Sequence, residues 1–120
     1  MDANKQAETF AKVWVEAWNA HDLGKIISFY AEDVEFTSPN VARNMGEPSG
    51  VLRGVQKVQA YFKKGLELNP DLRFDLQQVL KGVHSITLCY HNHLNDKMGA
   101  EVMFFDGRGK VNRVYVHYVE

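Results

Sequence analysis

At 120 residues, 45% of them apolar and 24% charged, the chain has enough material for one domain with a single core and not for two. A formal net charge of -1 supplies no basic excess to grip a phosphate backbone, which argues against a nucleic-acid partner. Charge interrupts the apolar stretches too often for a membrane-spanning helix, and the polar opening Met-Asp-Ala-Asn-Lys-Gln is unlike a secretory leader. With a single cysteine, Cys89, and no internal disulfide to make, a cytoplasmic location is expected.

Residues 5–20 read as an amphipathic helix, with Phe10, Val13, Trp14, Ala17 and Trp18 recurring at three- and four-residue spacing. Asn19-Ala-His-Asp22 breaks that period. Asp22 suits the N-cap of a second helix carrying Leu23, Ile26, Ile27, Phe29 and Tyr30, so His21 and Asp22 are assigned structural roles. After Ala31-Glu-Asp33 the period becomes two, with Val34, Phe36 and Ser38 on one face, until Pro39 ends the strand. Residues 40–54 are the least regular and are expected to form a loop and a short strand near 51–53. Residues 54–68 form a third helix with Val55, Val58, Tyr61, Phe62 and Leu66 inward, stopped at Asn69-Pro70.

From Asp71 onward the pattern is that of strands, at 72–80, at 85–94, and in a hairpin of 101–105 and 111–118. Its connection, Asp106-Gly-Arg-Gly109, has the glycines that a tight turn with positive φ needs. Lys81-Gly82 and Asn95-Asp96 supply the other turns. Both hairpin strands carry large apolar groups at both parities, which predicts cover on both faces. Cys89, mid-strand, reads as a small buried hydrophobe. Helices gathered early and strands gathered late predict an α+β domain with helices on one face of a curved sheet.

Glu101 shares its strand face with Met103 and Phe105, which places a carboxyl in apolar company. Desolvation there would raise its pKa and suit it to general acid or hydrogen-bond donor duty near neutral pH; pairing with Arg113 is the other reading. Trp14 and Trp18 lie on one helical stripe. Tyr30, Tyr90 and Tyr118 would present hydroxyls to a cavity or bond backbone carbonyls. His91 and His93, two apart on one strand with His84 and His117 in reach, have a spacing compatible with zinc. No cysteine or carboxylate is evident beside them, so no metal is expected. No glycine-rich phosphate loop is present, and no organic cofactor is implied.

Trp14-Val-Glu-Ala-Trp-Asn-Ala-His-Asp-Leu23, Phe29-Tyr-Ala-Glu-Asp-Val-Glu-Phe36, Ser38-Pro39, Leu52-Arg-Gly54 and Phe105-Asp-Gly-Arg-Gly-Lys-Val111 resemble the SnoaL-like branch of the nuclear transport factor 2-like superfamily. Its best-known enzymes are the ketosteroid isomerases. The resemblance spans nearly the whole chain and implies one domain, 1–120, folded as a cone-shaped, cystatin-like α+β barrel. Three helices from the N-terminal half would pack on the concave face of a curved, mostly antiparallel sheet. It also implies a homodimer and an internal pocket, with Tyr90 and Asn92 turned inward and the histidines outward.

Of the isomerase machinery, the resemblance leaves only the carboxyl on the penultimate strand, as Glu101. Trp14 stands at the tyrosine position and Ser38 at that of the proton-moving aspartate, so a standard ketosteroid isomerase is not expected. The candidate catalytic residues are Glu101 and Ser38. The candidate ligand contacts are Trp14, Trp18, Tyr30, Phe36, Tyr61, Leu88, Tyr90, Met103, Val116 and Tyr118. The implied function is a small-molecule pocket protein, with isomerase, dehydratase, cyclase or hydrolase chemistry on a compact, mostly apolar substrate. The alternative is a non-catalytic dimeric ligand-binding or assembly module.

Overall fold

The computed structural model describes residues 3–119. Helix α1 (Ala3–Asn19) turns Ala7, Ala11, Trp14, Ala17 and Trp18 into the core, where alanines between the indoles let the helix approach closely. Asn19 then clamps the backbone of Phe74: its Nδ2 donates to the Phe74 carbonyl at 2.9 Å and its Oδ1 accepts the Phe74 N–H at 2.8 Å. His21 adopts a φ of 55°, and Asp22 caps α2 (Leu23–Ile27) by accepting the Lys25 N–H at 3.1 Å.

Helix α2 is shorter than the apolar spacing suggests. Ser28 closes it, its hydroxyl donating to the Lys25 carbonyl at 2.5 Å, and Tyr30 opens strand β1 (Tyr30–Thr37) opposite Val111. Pairing across the sheet overrides the helical period there. A second correction falls in residues 40–54, which are not all loop. Ser38, extended, accepts the Asn40 N–H on Oγ at 3.2 Å and Pro39 occupies the first turn, so a helix α3 (Pro39–Asn44) starts where the strand stops. Strand β2 (Val51–Arg53) and helix α4 (Val55–Leu68) follow, with Val58, Phe62 and Leu66 buried. The described residues thus form four helices, where three were expected.

The remaining strands are β3 (Phe74–Lys81), β4 (Ser85–Asn92), β5 (Lys97–Phe105) and β6 (Val111–Tyr118). All six form one curled sheet in the order β2-β1-β6-β5-β4-β3, with the helices on one side. The β1–β6 pairing is parallel and the other four are antiparallel, so the sheet is mixed; β2 and β3 stay as edges and the barrel does not close. On the inner face the register stacks three rows: Tyr90–Gly99–Tyr118, Leu88–Glu101–Val116 and Ile86–Met103–Val114.

The outer face of the hairpin is not covered within the chain. Tyr115 and His117 are exposed, and Val102 and Phe104 are half-buried by their neighbours on the sheet. Cys89 shares that parity and is half-buried, not part of the core. Among the described residues no helix is long and apolar enough to cross a membrane.

Candidate functional site

Glu101 is 6% exposed, and the register sets Leu88 and Val116 on either side of it. Arg113 lies opposite Phe104 on the other face, its guanidinium 5.9 Å from that ring. The one hydrogen bond to the carboxyl among the described residues comes from the Tyr90 hydroxyl, which donates to Oε2 at 2.6 Å. Oε1 is buried without a partner among the described residues. Burial pushes the Glu101 pKa from 4.5 up to about 7, against the opposing pull of the Tyr90 bond.

Tyr90 reaches that carboxyl because of Gly99, its register partner. A Cβ at position 99 would stand 3.0 Å from the Tyr90 ring, so glycine is what lets the ring lie across β5. Sequence periodicity does not single out Gly99, since it carries no chemistry of its own.

Above this pair lies a cavity of about 660 Å³, within the roughly 300–1,000 Å³ typical of small-molecule sites. Its walls include Trp18, Phe36, Phe62, Phe74 and Tyr118. Exposed lining residues Arg43, Met45, Lys64, Leu68 and Leu94 stand at its mouth. Helix α3 contributes Asn40, Arg43 and Asn44, residues that a loop reading of this segment leaves out. The Trp18 indole Nε1 is a second buried polar atom without a partner among the described residues.

Ser38 is 2% exposed and lies beside the phenols of Tyr61 and Tyr118. Burial pushes both phenols up, Tyr61 to about 12, while the Ser38 hydroxyl acts in the opposite direction. Both therefore stay neutral hydrogen-bonding groups at ordinary pH. Ser38 Oγ already caps α3, which is its evident local role.

Of the candidate residues, Glu101, Trp18, Phe36, Tyr61, Tyr90 and Tyr118 line the cavity. Trp14 backs the wall: its ring is parallel to Phe74 at 5.9 Å, and its Nε1 donates to the Tyr30 hydroxyl at 3.0 Å. Tyr30 is thereby engaged, and burial raises its pKa. Leu88, Met103 and Val116 are taken up by the core. On the opposite face, the β3–β4 pairing sets Asp75 against His91. Asp75 Oδ2 lies 2.5 Å from His93 Nε2, and Asp96 Oδ1 lies 2.6 Å from His91 Nε2. The histidines thus do have carboxylate company, contrary to expectation, because register brings in a residue from another strand.

A family model described as the SnoaL-like domain matches residues 11–119. The chain belongs to the SnoaL-like family. The solved structure of a SnoaL-like protein of unknown function from Burkholderia thailandensis E264 is 38% identical, with a TM-score of 0.91 over 95% of this chain and 94% of that one. A candidate isomerase of the SnoaL-like family from Agrobacterium tumefaciens str. C58 is 17% identical, with a TM-score of 0.76 over 97% and 99%. A protein of cystatin-like fold from Methylobium petroleophilum PM1 is 16% identical, with a TM-score of 0.75 over 95% and 76%. At such identities the last two show a shared fold alone. A search of curated proteins gives no match. In this SnoaL-like domain Ser38, Glu101 and the cavity-lining aromatic residues named above all fall inside the matched span.

Proposed function

We propose that this SnoaL-like protein is a small-molecule pocket enzyme in which Glu101 carries a proton to or from a compact, mostly apolar substrate. The observation that carries the reading is one carboxyl oxygen, Glu101 Oε1, buried without a partner among the described residues in the wall of a 660 Å³ cavity. A group whose pKa lies at about 7 populates acid and base forms together near neutrality, where general acid–base catalysis is most effective. Tyr90 fixes the other oxygen and so orients the carboxyl. Trp18 Nε1 offers a donor suited to a carbonyl or hydroxyl oxygen, and Phe36, Phe62 and Phe74 suit an apolar body. Isomerisation, dehydration, cyclisation and hydrolysis all draw on such a proton transfer.

Solvent-deuterium exchange next to the carbonyl of compact cyclic ketones and enones, followed by NMR, tests this. The wild-type protein should catalyse exchange in at least one of them. Glu101→Gln, with unchanged circular dichroism, should be slower by roughly 10²- to 10⁴-fold. Exchange that survives the substitution rejects the assignment of Glu101. Ligands that bind with no exchange would instead make the cavity a non-catalytic binding site.

A further inference from the structure

We propose that Asp75, His91 and His93 form a surface site for one divalent transition-metal ion of the kind zinc represents. The three residues offer one ligating atom each, and those atoms lie within 4.8 Å of one another. His91 near the end of β4 and His93, one residue past it, bring their rings together with centroids 5.1 Å apart, and the β3–β4 register delivers the carboxylate from the neighbouring strand. Two imidazoles and a carboxylate are a donor set that zinc accepts, with a remaining position open to solvent.

The adjustment needed is one of side-chain rotation. Tetrahedral zinc with bonds of about 2.1 Å holds its donors roughly 3.4 Å apart. Asp75 Oδ2 and His93 Nε2, now 2.5 Å apart, would separate by roughly 1 Å as the ion replaces the proton they share. Both side chains are 45% exposed and free to make that rotation, while His91 is 26% exposed. With His91 Nδ1 on the ion, Asp96, bonded to Nε2 at 2.6 Å, would fix the orientation of that ring, the part carboxylates commonly play behind a ligating histidine.

The location gives the ion a consequence. Asn92, Leu94 and Asn95 line the cavity, while His91, His93 and Asp96 belong to the same strand end and turn. An ion bridging β3 and β4 would stiffen one side of the cavity rim from outside, without touching the cavity itself.

Calorimetric titration of zinc chloride into chelator-treated protein tests the site, with cobalt(II) absorption reporting coordination geometry. The expected result is one ion per chain, a cobalt spectrum of tetrahedral intensity, and a melting temperature raised by zinc. His91→Ala, His93→Ala and Asp75→Asn, each checked for folding by circular dichroism, should abolish stoichiometric binding. Asp96→Asn should weaken it by about tenfold to a hundredfold. Failure of the wild-type protein to bind zinc overturns the proposal without recourse to any variant. So does stoichiometric binding that survives in the His91→Ala/His93→Ala double variant, which would locate the ion elsewhere, for example at His84 or His117.

Discussion

Tyr90 donates its hydroxyl proton to Glu101 Oε2 at 2.6 Å although the register sets Tyr90 opposite Gly99 and Glu101 opposite Leu88. The bond runs diagonally between two rows of the inner face, within reach of a long aromatic side chain. It gives a carboxyl flanked by Leu88 and Val116 its one hydrogen-bond donor among the described residues, and that donor is neutral. Burial therefore outweighs stabilisation of the charge, and the carboxyl titrates at about 7.

The first prediction is a pH dependence of stability. The Glu101 pKa is raised on folding, so its contribution is fully present below the unfolded value, 4.5, and is lost as pH rises through about 7. Tyr30, Tyr61, Tyr90 and Tyr118, which face the carboxyl, are all pushed upward and stay neutral across that window. Glu101→Gln keeps an acceptor for Tyr90 and removes the charge. It should stabilise the protein at pH 8 relative to its effect at pH 4 by on the order of 3 kcal/mol. Denaturant melts of both proteins at the two pH values read the difference, and the reverse ordering would mean that the carboxyl is paired or solvated.

Much of this arrangement is legible in the sequence. The spacing of Trp14, Ala17 and Trp18 finds the buried face of α1, and the alternation through Glu101 and Met103 finds the apolar side of β5. What stays hidden depends on contacts between distant elements. Helical spacing cannot tell which indole reaches the cavity, because Phe74, on the edge strand, lies against Trp14. Ser38-Pro39 reads as the end of a strand and is equally the cap of a helix. The meeting of Asp75 with His91 depends on the β3–β4 register, which shifts between Leu76 and Gln78 in a way no alternation reveals.

Gly99→Ala should disturb the site without adding or removing any charge. Its Cβ would meet two ring carbons and the hydroxyl oxygen of Tyr90 at 3.0 to 3.2 Å, forcing the ring off Glu101. Overpacking of this kind costs roughly 1–3 kcal/mol. Since the Tyr90 bond is what lowers the Glu101 pKa, its loss should carry the carboxyl above about 7. An NMR titration of the Glu101 side chain should show the same upward move in Tyr90→Phe, and an unmoved midpoint in both variants would refute the coupling.

Ser38→Ala separates capping from catalysis. Removing the oxygen that accepts the Asn40 N–H should destabilise the protein by about 1 kcal/mol. The deuterium-exchange activity assigned to Glu101 should persist within about tenfold, because the groups beside Ser38 among the described residues are the neutral phenols of Tyr61 and Tyr118 and the Asn40 N–H, none of them a base that would make it a proton carrier. Loss of exchange comparable to that of Glu101→Gln, in a variant shown to be folded, would move Ser38 into the reacting machinery.

Steroid isomerisation should be absent or close to background. That reaction moves a proton between two carbons while separate donors hold the developing oxyanion, and Glu101 is the one carboxyl among the described cavity-lining residues. It can move the proton or donate to the oxyanion, but cannot do both at once. Ser38 is tied into the α3 cap, and the Trp14 indole is bonded to Tyr30 behind the wall, so neither supplies the missing function. With Glu101 moving the proton, no carboxylic acid among the described cavity-lining residues is left to donate to the oxyanion, and removing one oxyanion-hole donor typically costs roughly 10²- to 10³-fold in rate. Ultraviolet assays with an unconjugated steroid enone check this directly: sustained wild-type turnover that disappears in Glu101→Gln would show that one carboxyl suffices for both steps.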